Sequence, residues 1–290
     1  MPVDPAVRRL LDEWGETEEF DLAAARDGMA AWESPPEPAV AARFRDGEMG
    51  GVPVRVYEPD RAGAGPTIVW CHGGGYVLGT AAASDPLARF FGDRLECRVV
   101  SVDYRLAPEH RFPAAVDDVV SVVRELARRQ PIVVCGDSAG GGLTAAACLA
   151  TRDADLDVRA QVLLNPFLDL TLSFPSIAEF ARGYGLNRAS LEAFASLYVG
   201  DADPLDPRCS PVLAASLEGL PPAVIMTAEF DPLRDEAEAY ARRLGEAGVA
   251  VRMRRWDGMV HGFYGMSEVT PAANESLEWA TAALTEVLES

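Results

Sequence analysis

Residues 132–144 constrain this chain more than any other stretch. Ile132, Val133, Val134 and Cys135 form an unbroken apolar run rich in β-branched residues, the pattern of a strand buried on both faces. Gly136, Asp137, Ser138, Ala139 and Gly140 follow, and the Ala-rich run to Ala150 reads as a helix packed close to a sheet. A serine on so sharp a strand-to-helix turn is pushed out at the end of the strand with its backbone strained. A helix N-terminus then lies beneath any anion that forms there. The pattern is G-x-S-x-G. Two other readings start from the same residues: a plain Gly-rich turn, and a dinucleotide fingerprint, since residues 140–145 fit G-x-G-x-x-A.

Strands alternate with helices along the rest of the chain. Apolar strand patterns recur at 52–57, 67–71, 99–102, 160–164, 223–227 and 249–256. Amphipathic helix patterns fall at 4–17, 21–32, 115–129, 235–244 and 274–288. The first helix is expected to be capped by Asp4, with Val7, Leu10, Leu11 and Trp14 on one face; the second carries Leu22, Ala25, Met29 and Trp32 on a stripe. Pro35, Pro36 and Pro38 mark a linker. Such alternation predicts an α/β architecture with a mostly parallel sheet covered on both faces. Residues 170–207 carry helical pieces and no strand, too long for a plain connection. With the N-terminal helices (1–40) they are expected to form a small helical cap over a core made of 41–169 and 208–290.

Composition removes several chemistries. All 26 basic residues are arginine, which excludes a P-loop, a Schiff-base lysine and a Ser-Lys hydrolase. A net charge of −19 argues against nucleic acid and anionic membranes as partners. Five scattered cysteines and three histidines offer no metal-ligand cluster, so neither a metal nor another cofactor is expected. With no apolar span and no signal-peptide pattern, the expected location is cytoplasmic.

A serine hydroxyl needs a base, and the base needs an orienting group. The base is one of His72, His110 and His261. His261 is favoured because it follows the strand 249–256 by a short predicted loop, 257–260, at the end of the sheet where Ser138 should sit. For the acid, residues 226–235 offer Glu229, Asp231 and Asp235. Asp231 lies just beyond a buried strand, before Pro232 opens a helix, and is the first choice; Glu229 is the second. Gly73, Gly74 and Gly75, after His72 at a strand end, supply backbone N–H groups for an oxyanion, and the Ala139 N–H supplies another.

At this point the chain resembles the hormone-sensitive-lipase family of α/β-hydrolases, the bacterial carboxylesterases with an H-G-G-G loop. The resemblance rests on residues 72–75 (HGGG), 104–109 (YRLAPE), 136–140 (GDSAG), 231–235 (DPLRD) and 261–263 (HGF), in the family's order across residues 67–265. It implies an α/β-hydrolase fold and a serine carboxylesterase for a small-molecule, short-chain ester substrate. It also implies the triad Ser138, Asp231 and His261, oxyanion donors at Gly74, Gly75 and Ala139, and dimerisation through the last strand. Tyr76 stands where the family often has Phe or Trp. Amide, formamide or carbamate hydrolysis by the same residues stays open, as does a non-catalytic binding role like that of the related plant hormone receptors, which lack the histidine.

Overall fold

The computed structural model describes residues 2–15, 19–32, 43–59, 63 and 65–289; the expected linker at 34–38 lies outside them. The chain starts with helices α1 (Pro5–Trp14) and α2 (Leu22–Trp32), then a hairpin of β1 (Arg43–Met49) and β2 (Val52–Glu58). The alternating part follows as β3 (Thr67–Cys71), α3 (Asp85–Arg94), β4 (Val99–Val102), α4 (Ala114–Ala127), β5 (Ile132–Asp137), α5 (Ala139–Thr151) and β6 (Val158–Leu164). Helices α6 (Pro175–Glu179) and α7 (Arg188–Val199) fill the strandless segment. The chain finishes as β7 (Ala223–Phe230), α8 (Arg234–Glu246), β8 (Val251–Val260) and α9 (Pro271–Glu289).

Among the described residues the strands form one sheet in the order β1-β2-β4-β3-β5-β6-β7-β8. The β1–β2 and β2–β4 pairs are antiparallel and the rest parallel. Strand β5 sits in the middle, and its alternation decides which side each residue serves. Ile132 and Val134 join the core beneath α4, α5 and α8, while Val133 and Cys135 join the core beneath α3 and α9. Replacing a fully buried anchor such as Leu143 by Ala would remove roughly 2–5 kcal/mol. All five cysteines are free and buried in these layers.

Sequence pattern and structure differ in four places. The hairpin strand β1 was not expected: its sequence, RFRDGEM, lacks the apolar alternation of a half-buried strand because it lies at the sheet's exposed edge. Helix α3 was also unforeseen. In α1, Asp4 caps as expected, its Oδ1 accepting from the N–H groups of Ala6 (2.8 Å) and Val7 (3.2 Å), but Trp14 points outward, 51% exposed. Residues 257–260 are not a loop; they extend β8, so His261 follows the strand directly. Met29 and Trp32 of the predicted stripe lie outside the described side chains, whereas Leu22 and Ala25 do pack on the core.

Arg26 ties helix α2 to the body through hydrogen bonds. Arg26 donates from Nε to the Val77 carbonyl (3.0 Å) and from Nη2 to the Ala107 carbonyl (3.0 Å), and forks onto both Glu109 oxygens (2.7 and 2.8 Å). Phe20, just before α2, meets Phe194 of α7 edge to face at 4.9 Å.

Candidate active site

Ser138 occupies the turn between β5 and α5 with φ 52° and ψ −121°, a left-handed conformation that costs a non-glycine residue about 1–3 kcal/mol. Its neighbours hold it there. The Ser138 N–H donates to the Leu164 carbonyl (2.8 Å), and the Ser138 carbonyl accepts from the Phe167 N–H (2.9 Å). Gly140 lets the start of α5 press against the end of β3, for a Cβ at that position would run into the Cys71 and His72 carbonyls.

His261 leaves the end of β8 and turns back towards this serine. Its Nε2 lies 3.0 Å from Ser138 Oγ, and its Nδ1 lies 2.9 Å from Asp231 Oδ2. A carboxylate only accepts, so Nδ1 carries the proton and Nε2 is left as the acceptor for the serine hydroxyl. Asp231, just past β7, is fully buried; its Oδ1 accepts from the Leu233 N–H (2.9 Å). Burial acts to lower the pKa of His261, but the charge and hydrogen bond of Asp231, with the charge of Asp137, raise it above the ordinary histidine value.

The sign of the pH dependence follows. Only the neutral imidazole accepts a proton, and a raised pKa keeps the protonated form to higher pH. Hydrolytic kcat/KM is therefore expected to fall as pH drops, with a midpoint above the ordinary histidine value of about 6.5. A pH–rate profile whose acid limb lies well below 6.5 would contradict the Asp231–His261 pairing.

The glycine loop after β3 is braced from below. His72 is buried, stacked on the Tyr104 ring at 4.1 Å, and its Nδ1–H donates to the Gly73 carbonyl at 2.7 Å. Burial pushes its pKa down to about 4, so it stays neutral and shapes the loop. The Gly73 N–H donates to Asp137 Oδ1 at 3.1 Å, and the Tyr264 hydroxyl donates to Asp137 Oδ2 at 3.3 Å. Asp137 thus joins the glycine loop, the serine turn and the segment after His261. Burial lifts its carboxyl to about 6, against the Tyr264 and Gly73 hydrogen bonds and the charge of His261, which favour its charged form.

The other candidates are engaged elsewhere. His110 is exposed. Glu229 accepts from the Gly258 N–H at 2.7 Å, bracing the strand that delivers His261. Asp235 accepts from Arg234 Nε (2.8 Å) and the Ser176 N–H (3.0 Å). Tyr76 turns away from the site; it stacks on Tyr198 at 4.0 Å and donates its hydroxyl to the Phe167 carbonyl at 3.1 Å.

Ser138 and His261 open onto a cavity of about 300 Å³ whose other walls include Gly74, Gly75, Leu78, Leu87, Leu186 and Phe194. Sequence reasoning did not single out Asp137 for a role of its own, nor Tyr264, Leu186, Phe194 or Asn165. Asn165 directly follows β6, the strand beside β7, and its Nδ2 donates to Asp231 Oδ2 at 3.0 Å. Listing the polar residues at the ends of strands neighbouring Asp231 would have found it. The apolar pair from 170–207 had no sequence signal beyond hydrophobicity.

Known proteins share this fold. A family model described as alpha/beta hydrolase fold matches residues 68–265. Carboxylic ester hydrolase LipN of Mycobacterium tuberculosis is 39% identical over 270 residues, 86% of this chain and 72% of its own length. The arylesterase of Saccharolobus solfataricus is 35% identical over 288 residues, 91% of this chain and 93% of its own. A solved structure described as a hormone-sensitive lipase from a metagenome library superposes with a TM-score of 0.90 at 33% identity, over 99% of this chain and 100% of that one. Among the described residues no helix is long and apolar enough to cross a membrane. The motifs, the sheet order and these matches make the chain a member of the alpha/beta hydrolase fold family, in its hormone-sensitive-lipase-like branch.

Proposed function

We propose that this protein is a serine carboxylesterase for small, dissolved esters with short acyl groups. The observation that carries the reading is the continuous path from Asp231 through His261 to Ser138, 2.9 and 3.0 Å long, at the floor of an open cavity. Ser138 Oγ attacks the acyl carbon while its proton passes to His261 Nε2, and Asp231 compensates the imidazolium. The carbonyl oxygen becomes an oxyanion, received by the N–H groups of Gly74, Gly75 and Ala139. None of these three meets a protein acceptor among the described residues, and the last stands at the N-terminus of α5. His261 then protonates the departing alkoxide. Water, deprotonated by the same imidazole, attacks the acyl carbon, and His261 returns that proton to Ser138 Oγ as the acid leaves.

Residues 170–207, together with the N-terminal helices, act in this reading as the cap. Phe194 lies so close over the glycine loop that a Cβ on Gly75 would strike its ring. The cavity of about 300 Å³ is at the small end of the roughly 300–1,000 Å³ usual for ligand sites. The cap's apolar residues Ile177, Phe180, Leu191 and Tyr198 are buried against the body, which leaves no broad surface for an oil–water boundary. Acetyl to hexanoyl p-nitrophenyl esters are therefore expected to turn over fastest, palmitate least, with no jump in rate at substrate saturation. A series of acyl lengths with palmitate as the best substrate would overturn this reading of the cap. Matched p-nitroanilides, run beside the esters, test the choice of bond: the ester is expected to be the better substrate by orders of magnitude.

A further inference from the structure

Asn165 is 1% exposed and holds a left-handed backbone, φ 45°, at the end of β6. Its backbone N–H donates to the Met226 carbonyl of β7 at 2.8 Å, which fixes where the side chain starts. The side-chain Nδ2 then reaches Asp231 Oδ2 at 3.0 Å, the same oxygen that receives His261 Nδ1 at 2.9 Å. The amide cannot be turned round, because its carbonyl would face a carboxylate. Its Oδ1 meanwhile is buried with no partner among the described residues, so a polar group is kept here at a cost that only the Asp231 contact offsets. This oxygen of Asp231 therefore has two donors, one of them permanent and neutral.

We propose that Asn165 is a positioning residue of the hydrolytic reaction, whose amide fixes the rotation of the Asp231 carboxylate and limits how strongly that oxygen pulls on the imidazole proton. The inference rests on the triad reading above. A donor shared on one oxygen draws electron density away from it. Without that donor the carboxylate is more basic, holds the imidazolium more tightly, and is free to rotate away from Nδ1. Both changes affect the proton in flight and leave the substrate's binding surface untouched. The charged and titratable groups facing the pair are Asp137 at the end of β5, Tyr264 beyond His261, and buried Glu236 on α8. None of them is altered by a substitution at 165.

Two variants and one wild-type measurement test this. Asn165→Asp keeps the shape and tolerates a left-handed backbone, but replaces the donor with a carboxyl that donates only while protonated. Asn165→Gly suits the backbone and removes the donor outright. For both, kcat on p-nitrophenyl butyrate at pH 8 is expected to fall roughly tenfold or more, with KM within about threefold. The His261 titration, followed by NMR in a Ser138→Ala background, is expected to move upward in the Gly variant. Measured against the wild type at the same pH, Asn165→Asp is expected to recover part of its activity as pH is lowered and its new carboxyl gains a proton. In the wild type, the Asn165 amide proton facing Asp231 is expected to exchange with solvent far more slowly than an exposed amide. Wild-type kcat in both variants with an unmoved His261 titration, or fast exchange of that amide, would overturn the proposal. The NMR readouts need no turnover, so failure of the triad reading itself would be seen separately, as activity surviving Ser138→Ala.

Discussion

Ser138→Ala is expected to lower kcat on p-nitrophenyl butyrate by about 10³-fold at least, and as much as about 10⁶-fold, while leaving the fold in place. The hydroxyl's recorded partner is His261 Nε2, so stability should change by no more than about 1 kcal/mol, the net worth of one hydrogen bond. The backbone contacts that hold the turn, from Leu164 and Phe167, do not involve Oγ. Unfolding curves of variant and wild type should therefore nearly coincide. An organophosphate should label the wild type once, on Ser138; a modified peptide from any other part of the chain would refute the assignment.

Asp231→Asn is expected to cost nearly as much, roughly 10⁴-fold in kcat, for a reason that involves one proton. An amide NH₂ facing His261 turns Nδ1 into an acceptor and moves the ring proton to Nε2. The nitrogen that must take the serine proton is then already protonated. Glu229→Gln and Asp235→Asn should lose only a few-fold, because their carboxylates serve Gly258 and Ser176 respectively. Should Glu229→Gln prove the more damaging of the three, the orienting acid has been misassigned. A second consequence concerns the surrounding strands. Asp231, Asn165 and His261 all stand at strand ends, where the sheet's own hydrogen bonds hold the backbone in place.

How far the site could be read from sequence depends on whether a residue's job is local. Ser138, Gly140 and Asp4 have jobs set by their immediate neighbours, a turn or a helix start, and such jobs leave a pattern within a few positions. Asp231 and His261 were legible because each follows a strand, and parallel strands put their C-terminal ends on one side of the sheet. The length of β8 was misread because Asp257 and Gly258 look like a turn, yet Glu229 pins the Gly258 N–H and keeps the strand going. Asn165 and Phe194 could not be read this way. The first acts on a residue 66 positions away and the second lies over a glycine more than a hundred positions earlier. Their meaning arises only when the sheet order and the cap bring them there. Strand β1 was missed for the opposite reason: an exposed edge strand has no buried face to impose a pattern.

The buried thiols also govern how cleanly the chemistry can be watched. Activated esters acylate any accessible amine or thiolate, and such stray acylation often sets the floor of an esterase assay. Here no side-chain amine exists, since every basic residue is arginine. The five thiols are buried, and those of Cys71, Cys97 and Cys209 are pushed up to about 12 by desolvation. Of the three imidazoles, only His110 is exposed. Outside the cavity, the exposed His110 imidazole is then the side chain best able to take up an activated acyl group. Slow turnover left in a nucleophile-deficient variant that also carries His110→Asn can be traced to solvent water guided by the remaining site, and a thiol reagent added alongside reports global unfolding in the same cuvette.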